Sequence, residues 1–442
     1  SVSDQDNLRQ WNRFQTIYAW RIHRLIINDT KGFWSLLDTL ASTGLWKGPL
    51  FPCLKVLDIR NTVSHLPEHL SLIVNPNVTK FVLHSPPLSN EEYLVDFVRQ
   101  IPRLMRRLRH VEIHIAPPIS PQLSEAFADM SRALGASLER LFIPTLLDQI
   151  TAIAFHPNLK SLCQTLDLDT HGPTNDIPIH HTPVIPVLPS NTNSFPSLTQ
   201  LSLMCSVVSV IQLLEQPGFP LRLTRLTIKS PSDTQSELPT AIRRLMTGVA
   251  TKCAGIRYFS LEYSMDQTYH TEPSNGMITF DDLAPLSRCT EMRQFSIYTH
   301  LFPLSINDEE FASLVSAWPD LSALHLNPDP LVVCNEELWP RQRKALTWRS
   351  ILSLARYVPA VKVVLLLLDP SGVPSLEEIE CQAVIKGSRR PKLLNLSYLN
   401  AGFLYDPLSL HIEEKSERGV LLREFLRRMV PMSCLRDHRN VF

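Results

Sequence analysis

Apolar positions recur along this chain as apolar-x-x-apolar-x-apolar. The pattern appears at Ile22/Leu25/Ile27, Leu54/Leu57/Ile59, Val78/Phe81/Leu83, Leu108/Val111/Ile113 and Leu138/Leu141/Ile143. It continues at Cys163/Leu166/Leu168, Leu198/Leu201/Leu203, Leu223/Leu226/Ile228, Ile256/Phe259/Leu261 and Met292/Phe295/Ile297. It closes at Leu321/Leu324/Leu326, Val361/Val364/Leu366 and Leu393/Leu396/Tyr398, which gives about thirteen units of roughly 31 residues each. Phe51-Pro52, Asn75-Pro76, Phe195-Pro196, Trp318-Pro319 and Val358-Pro359 each precede a first anchor, and Cys253 and Cys289 stand near the equivalent place in two others. Each triad predicts a short strand whose second and third anchors point to one face and whose third, fifth and seventh positions point to the other. Between the strands, helical spacing appears over 33–41, 91–105, 239–250, 307–317 and 348–357. In the stretch from Ile306 to Pro328, Asn307 or Asp308 can cap a helix whose inner stripe is Phe311, Leu314 and Val315.

A strand this short cannot bury its apolar face alone, so each unit must stack on its neighbours, and intervening helices make the strands parallel. Composition sharpens this reading. About one residue in six is leucine, while the 442 residues include 13 glycines and 35 prolines. The expected fold is an α/β leucine-rich repeat solenoid: a right-handed horseshoe with parallel strands on the concave face and helices on the convex one. It would be an irregular array, because Thr62, Ser206 and Pro231 stand near the positions where regular repeats carry an asparagine ladder. Residues 1–405 are expected to form the array with its opening helix, and 406–442 a C-terminal capping helix. The proline-rich stretch 169–194 reads as an insertion loop, and 264–278 and 327–345 as smaller ones.

The 43 basic and 43 acidic residues cancel, which argues against nucleic acid or an anionic membrane as partner. The longest apolar run, Val363–Leu368, is far short of a membrane span. None of the eight cysteines forms a C-x-x-C pair, and most sit among apolar neighbours as ordinary buried thiols. An intracellular protein, cytoplasmic or nuclear, is expected, and a monomer. Nucleotide-binding loops, G-x-S-x-G and H-E-x-x-H are absent, so neither an enzyme nor a cofactor is expected.

Candidate chemistry lies on the inward-facing strand positions. His110, Glu112 and His114 alternate with Val111 and Ile113, and His84 shares a rung with His114. These groups suit a metal, although a solvated wall that carries histidines is the preferred reading. His171, His180 and His181 fall in the insertion loop, where exposure is preferred over metal binding. The better binding surface is the concave face of the middle repeats: Arg225, Thr227, Lys229, Tyr258, Ser260, Glu262, Gln294, Ser296, Tyr298, His325 and Asn327. Tyrosines beside arginine and mixed polar groups match the anchor chemistry of protein interfaces. Farther on, Val363, Leu365 and Leu367 make one strand apolar on both faces. The tail is expected to cover it with a helix over 413–429, through Val420, Leu421, Phe425 and Leu426.

The segments "PDLSALHL", "PSLTQLSL", "PCLKVLDI" and "VPAVKVVLLLLD" resemble units of F-box leucine-rich repeat proteins, especially the large basidiomycete group. "SDQDNLRQWNRFQTIYAWRIHRLII" is similar to the segment that follows the F-box there, and the late segments "DEEFASLVSAWPDLSALHL" and "TWRSILSLARYVPAVKVVLLLLD" resemble that group's late repeats. The F-box itself is not in this chain, which starts at Ser1 without methionine. The resemblance implies substrate recognition for a cullin-RING (SCF-type) ubiquitin ligase, with a protein substrate on the concave face. The adaptor would be reached only through an F-box outside this chain. A leucine-rich repeat scaffold without a ligase role is the alternative.

Overall fold

A computed structural model describes residues 13–28, 31–42, 49–60, 70–85, 91–115, 119–144, 146, 149–164, 187–188, 194–231, 238–264, 276–299, 304–327, 344–369, 375 and 398–403. The chain divides into two compact units: residues 1–201 with 216–220, and residues 202–215 with 221–442.

In the first unit the elements run β1 (Arg24–Asn28), α1 (Lys31–Ser42), β2 (Val56–Arg60), β3 (Lys80–Ser85), α2 (Glu92–Leu104), β4 (His110–Ile115), α3 (Pro121–Ala133), β5 (Arg140–Ile143), α4 (Ile150–Ile153) and β6 (Ser161–Gln164). The strands β1 to β6 pair in chain order, every pair parallel. The opening is described from Arg13 onward as a π turn over Phe14–Tyr18 and a 3-10 turn over Ala19–Arg21. The division between units falls within β7 (Gln200–Met204).

In the second unit α5 (Val207–Glu215), β8 (Arg225–Pro231), α6 (Leu238–Lys252), β9 (Tyr258–Ser264), β10 (Ile278–Thr279), α7 (Phe280–Leu283), β11 (Gln294–Thr299) and β12 (Leu304–Ser305) come first. They are followed by α8 (Asp308–Ser316), β13 (Ala323–Leu326), β14 (Leu346–Thr347), α9 (Arg349–Tyr357), β15 (Val363–Asp369) and β16 (Tyr398–Phe403). The sheet order is β8-β9-β11-β13-β15, all parallel, with β14 and β16 both on β15. β10 and β12 form a separate short parallel pair. Both units are therefore α/β, with helices alongside a parallel sheet. No helix among the described residues is long and apolar enough to cross a membrane.

Two local devices repeat from unit to unit and explain why the sequence pattern works. The first is a turn. Leu54, Val78, Leu198, Leu321 and Val361, each a first anchor, donate their N–H to the carbonyl three residues back, at Phe51, Asn75, Phe195, Trp318 and Val358. Proline follows that carbonyl residue in each case, where its fixed φ suits the second position of a turn. Cys253 and Cys289 open equivalent turns, as their spacing suggests: Ile256 and Met292 donate to them at 2.9 and 3.1 Å. The residue opening these turns is buried throughout. The second device is a carbonyl shared by two donors at the start of most strands of the main sheet. Thr79 and Lys80 N–H both reach Lys55 O, Arg109 and His110 both reach Thr79 O, and Glu139 and Arg140 both reach Arg109 O. In the second unit Arg293 and Gln294 reach Arg257 O, Ser322 and Ala323 reach Arg293 O, and Lys362 and Val363 reach Ser322 O. Each of these strands is thus held in register before its own ladder begins. The anchors behind this ladder, such as Leu57, Ile59, Val111, Ile113, Phe295, Ile297, Leu324 and Leu326, are fully buried or nearly so.

The helices expected over 33–41, 91–105, 239–250, 307–317 and 348–357 are all present. Asn307, not Asp308, is the N-cap of α8: its side chain accepts from Glu310 N–H while Glu310 reaches back to Asn307 N–H, a full capping box.

Two registers correct the sequence reading. The triad Cys163/Leu166/Leu168 is displaced by four residues, since Leu162 pairs with Leu141 and Cys163 with Phe142. The anchors are Leu159 and Leu162, behind a His156-Pro157 turn. Gln164 occupies the third anchor, so the apolar template fitted the next leucines better. At the end of the array Leu399, not Leu396, pairs with Val364, and Tyr398 pairs with Val363. Ala401 is then the third anchor, a residue too small to stand out in an apolar pattern.

Candidate functional site

On β2 to β5 the positions that alternate with the core anchors form rows. One row reads Val56, Lys80, His110 and Arg140, and the next reads Asp58, Val82, Glu112 and Phe142. Arg60, His84 and His114 make a third. The histidine reading holds in its geometry: His84 and His114 are rung neighbours, and their rings stack in parallel at 4.3 Å. Glu112 sits between His110 and His114 and accepts from their Nε2 atoms at 3.2 and 2.9 Å, which places the Nε2 proton on both rings. The hydrogen bonds from His110 and then His114 hold the Glu112 carboxyl well below the usual carboxylate range. His110 also stacks on Phe142 at 5.5 Å.

Asp58, which sequence spacing did not single out, is buried on this same face and pairs with Arg60 at 3.2 Å. Among the described residues no group of three or more His, Cys, Asp or Glu side chains is arranged to hold a metal ion. Glu112 has both oxygens engaged by imidazole N–H groups, an arrangement that closes the carboxylate rather than opening it to a cation. His171, His180 and His181, and the tail after residue 403, lie outside the described residues.

The wall is acid-sensitive in a defined direction. Burial, followed by the charge of His114, lowers the pKa of His84, while Asp58 and Glu112 act against this and Arg60 adds to it. The unfolded chain then takes up this proton first. The stabilisation is complete above the unfolded value of about 6.5 and is lost as pH falls towards the lower folded value. Burial lowers His325 in the second unit as well, with the same sign. Between pH 7 and pH 5 the urea midpoint should fall, and His84→Gln should flatten part of that slope. An unchanged slope in the variant would assign the acid sensitivity elsewhere.

The second unit carries the residues expected to bind a partner. Arg225 lays its guanidinium over the Tyr258 ring at 4.4 Å, one rung away on β9. Lys229 and Glu262 form a partly exposed ion pair at 3.4 Å. On β11 and β13, Tyr298 Oη lies 2.6 Å from His325 Nδ1, and Ser296 Oγ lies 3.2 Å from the same nitrogen. Burial, with Glu262 nearby, raises the Tyr298 pKa, so its hydroxyl stays neutral. Gln294 faces Tyr258 on one side and Ala323 on the other. The seven expected contact residues therefore share one face, in three groups: Arg225–Tyr258 with Gln294 on the next strand, Lys229–Glu262, and Tyr298–His325.

Two further residues expected there are structural. Ser296 is buried, and so is Asn327, whose φ of 43° lies in the left-handed region that asparagine tolerates. The Asn327 amide accepts from Thr299 N–H and donates to Thr299 O, both at 3.0 Å, and so extends the strand pairing beyond the end of β13. A polar residue at a strand position facing away from the core gives no sequence signal that its amide serves a neighbouring backbone. The cysteines Cys205, Cys253 and Cys289 behave as expected of core thiols: burial pushes them up to about 12, about 12 and about 11.

No protein-family model and no curated protein matches this chain.

Proposed function

We propose that this chain is a protein-recognition module of the leucine-rich repeat type, which binds a protein partner through the polar face of its parallel strands. The observation that carries this reading is the Arg225–Tyr258–Tyr298 group: two aromatic rings and a guanidinium held on neighbouring strands by ladder pairing. Tyrosine rings, and an arginine already stacked on one of them, lose little further freedom on binding, and such residues dominate interface energetics. The further role, substrate recognition for an SCF-type ubiquitin ligase, rests on the resemblance of the repeat segments to F-box leucine-rich repeat proteins. In that reading an adaptor would be engaged by an F-box module, and the faces described here would hold the substrate.

A combined Arg225→Glu, Tyr258→Ala and Tyr298→Ala variant should lose at least about tenfold in partner capture, about 1.4 kcal/mol or more of binding free energy. Its far-UV circular dichroism should be unchanged. Undiminished capture of a partner identified with the unmutated chain would overturn the assignment of this face. Copurification of a cullin adaptor with a longer form of the protein would support the ligase reading over a scaffold role.

A further inference from the structure

The first unit carries a second patterned surface, distinct from the Arg225–Tyr258–Tyr298 face. The pairing register places Arg24, Lys80 and Arg140 on one row, on β1, β3 and β5. None of the three forms an ion pair among the described residues. The acids of the same wall are already engaged, Asp58 with Arg60 and Glu112 with two imidazoles. Glu139, next to Arg140 in sequence, is held by Lys160 at 2.9 Å and Arg109 at 3.8 Å. Among the described residues the wall therefore keeps its carboxylates occupied and leaves Arg24, Lys80 and Arg140 outside any ion pair.

We propose that this face docks an extended acidic peptide lying across the strands, with a carboxylate at every third residue. The spacing carries the argument. Adjacent strands lie about 4.8 Å apart, so cations on alternate strands recur every ~9.6 Å. An extended chain in the polyproline II conformation repeats every three residues, or ~9.3 Å, which brings one acid on the same side of the peptide to each cation. Ile26 and Phe142, on the adjacent row, offer apolar contact to the residues between the acids. A nucleic acid fits less well. Asp58 and Glu112 keep negative charge on the adjacent row of the intervening strands, beside which a phosphodiester backbone must place a charge at every residue, whereas a peptide can place a neutral residue there.

This inference rests on reading the strand faces as protein-docking surfaces, but its test needs no native partner, so it can fail independently of the capture experiment. The probe is a fluorescein-labelled decapeptide with glutamate at every third position and serine between, titrated with the full chain at low and moderate salt. Anisotropy should report salt-sensitive binding. A Lys80→Glu, Arg140→Glu variant should weaken it at least about tenfold, while Arg103→Glu, on the exposed face of α2, leaves it unchanged. A single-stranded oligodeoxynucleotide of equal charge should bind more weakly than the peptide. Three results would overturn the proposal: no binding of the peptide, equal binding by the double variant, or tighter binding of the oligonucleotide. Arg24→Glu gives a second, independent variant should the double variant fail to fold.

Discussion

Trp318→Ala should be the most damaging single truncation in the second unit, costing about 3–5 kcal/mol. The indole is fully buried at the turn that opens the β13 unit, and its ring lies 4.9 Å from Phe295, an anchor of the preceding strand. Its Nε1–H donates to Leu286 O at 3.1 Å, which ties the turn to the segment before β11. Truncation therefore opens a large cavity and also removes one of the two donors to Leu286 O, which keeps only the Cys289 N–H. Trp318→Phe separates the two effects, because it fills most of the space and removes only the donor. Its cost should be about 1–3 kcal/mol. Urea unfolding followed by circular dichroism reads both. A loss below about 1 kcal/mol for the alanine variant would mean that neighbouring units close over the site.

Asp308→Ala should cost about 3 kcal/mol, a large effect for a residue that is only half-buried. Its carboxylate accepts from Thr347 N–H at 2.9 Å, from Thr347 Oγ1 at 2.6 Å and from the Ser350 hydroxyl. One side chain at the first turn of α8 thereby satisfies the start of α9, 39 residues later. Nearby, Lys344 pairs with Glu310 and adds a second tie between the same segments. Hydrogen bonds to a charged acceptor are worth about 1.5–3 kcal/mol each in favourable cases, and removal leaves the donors to find water. Asp308→Asn keeps the shape and two of the acceptor contacts, so it should recover about half of the loss. An alanine variant as stable as the parent would show that the α9 start is solvated without Asp308.

Much of the fold was legible because its determinants are local. Proline after a buried residue sets a turn, and three apolar anchors at fixed spacing set a strand. Helical spacing between them requires parallel pairing. Where a local signal was weak the reading moved: glutamine at Gln164 and alanine at Ala401 stood where an apolar anchor was expected, and both registers shifted to more conspicuous leucines. The candidate site was legible in its membership but not in its roles. Alternation placed Tyr258, Tyr298, Glu262 and His325 on one face. It could not distinguish a side chain available to a partner from one like Asn327, which serves its neighbour's backbone. The burial of Asp58 was equally hidden, because a carboxylate at an outward position reads as solvated unless its neighbours are known.

The sequence by itself determined the repeating unit outside β6 and β16: which residues face the core, where the strands start, and that consecutive strands run parallel. These depend on spacings of two to four residues, which the chain spells out directly. Tertiary structure decided which side chains meet across units about 30 residues apart, as in the stack of His84 on His114, the closure of Glu112 between two imidazoles, and Arg225 over Tyr258. It also decided which cations were left over, because an ion pair forms only where register brings opposite charges within a few ångströms. A difference of one residue in register exchanges the two faces of a strand, so function here follows from pairing rather than from composition.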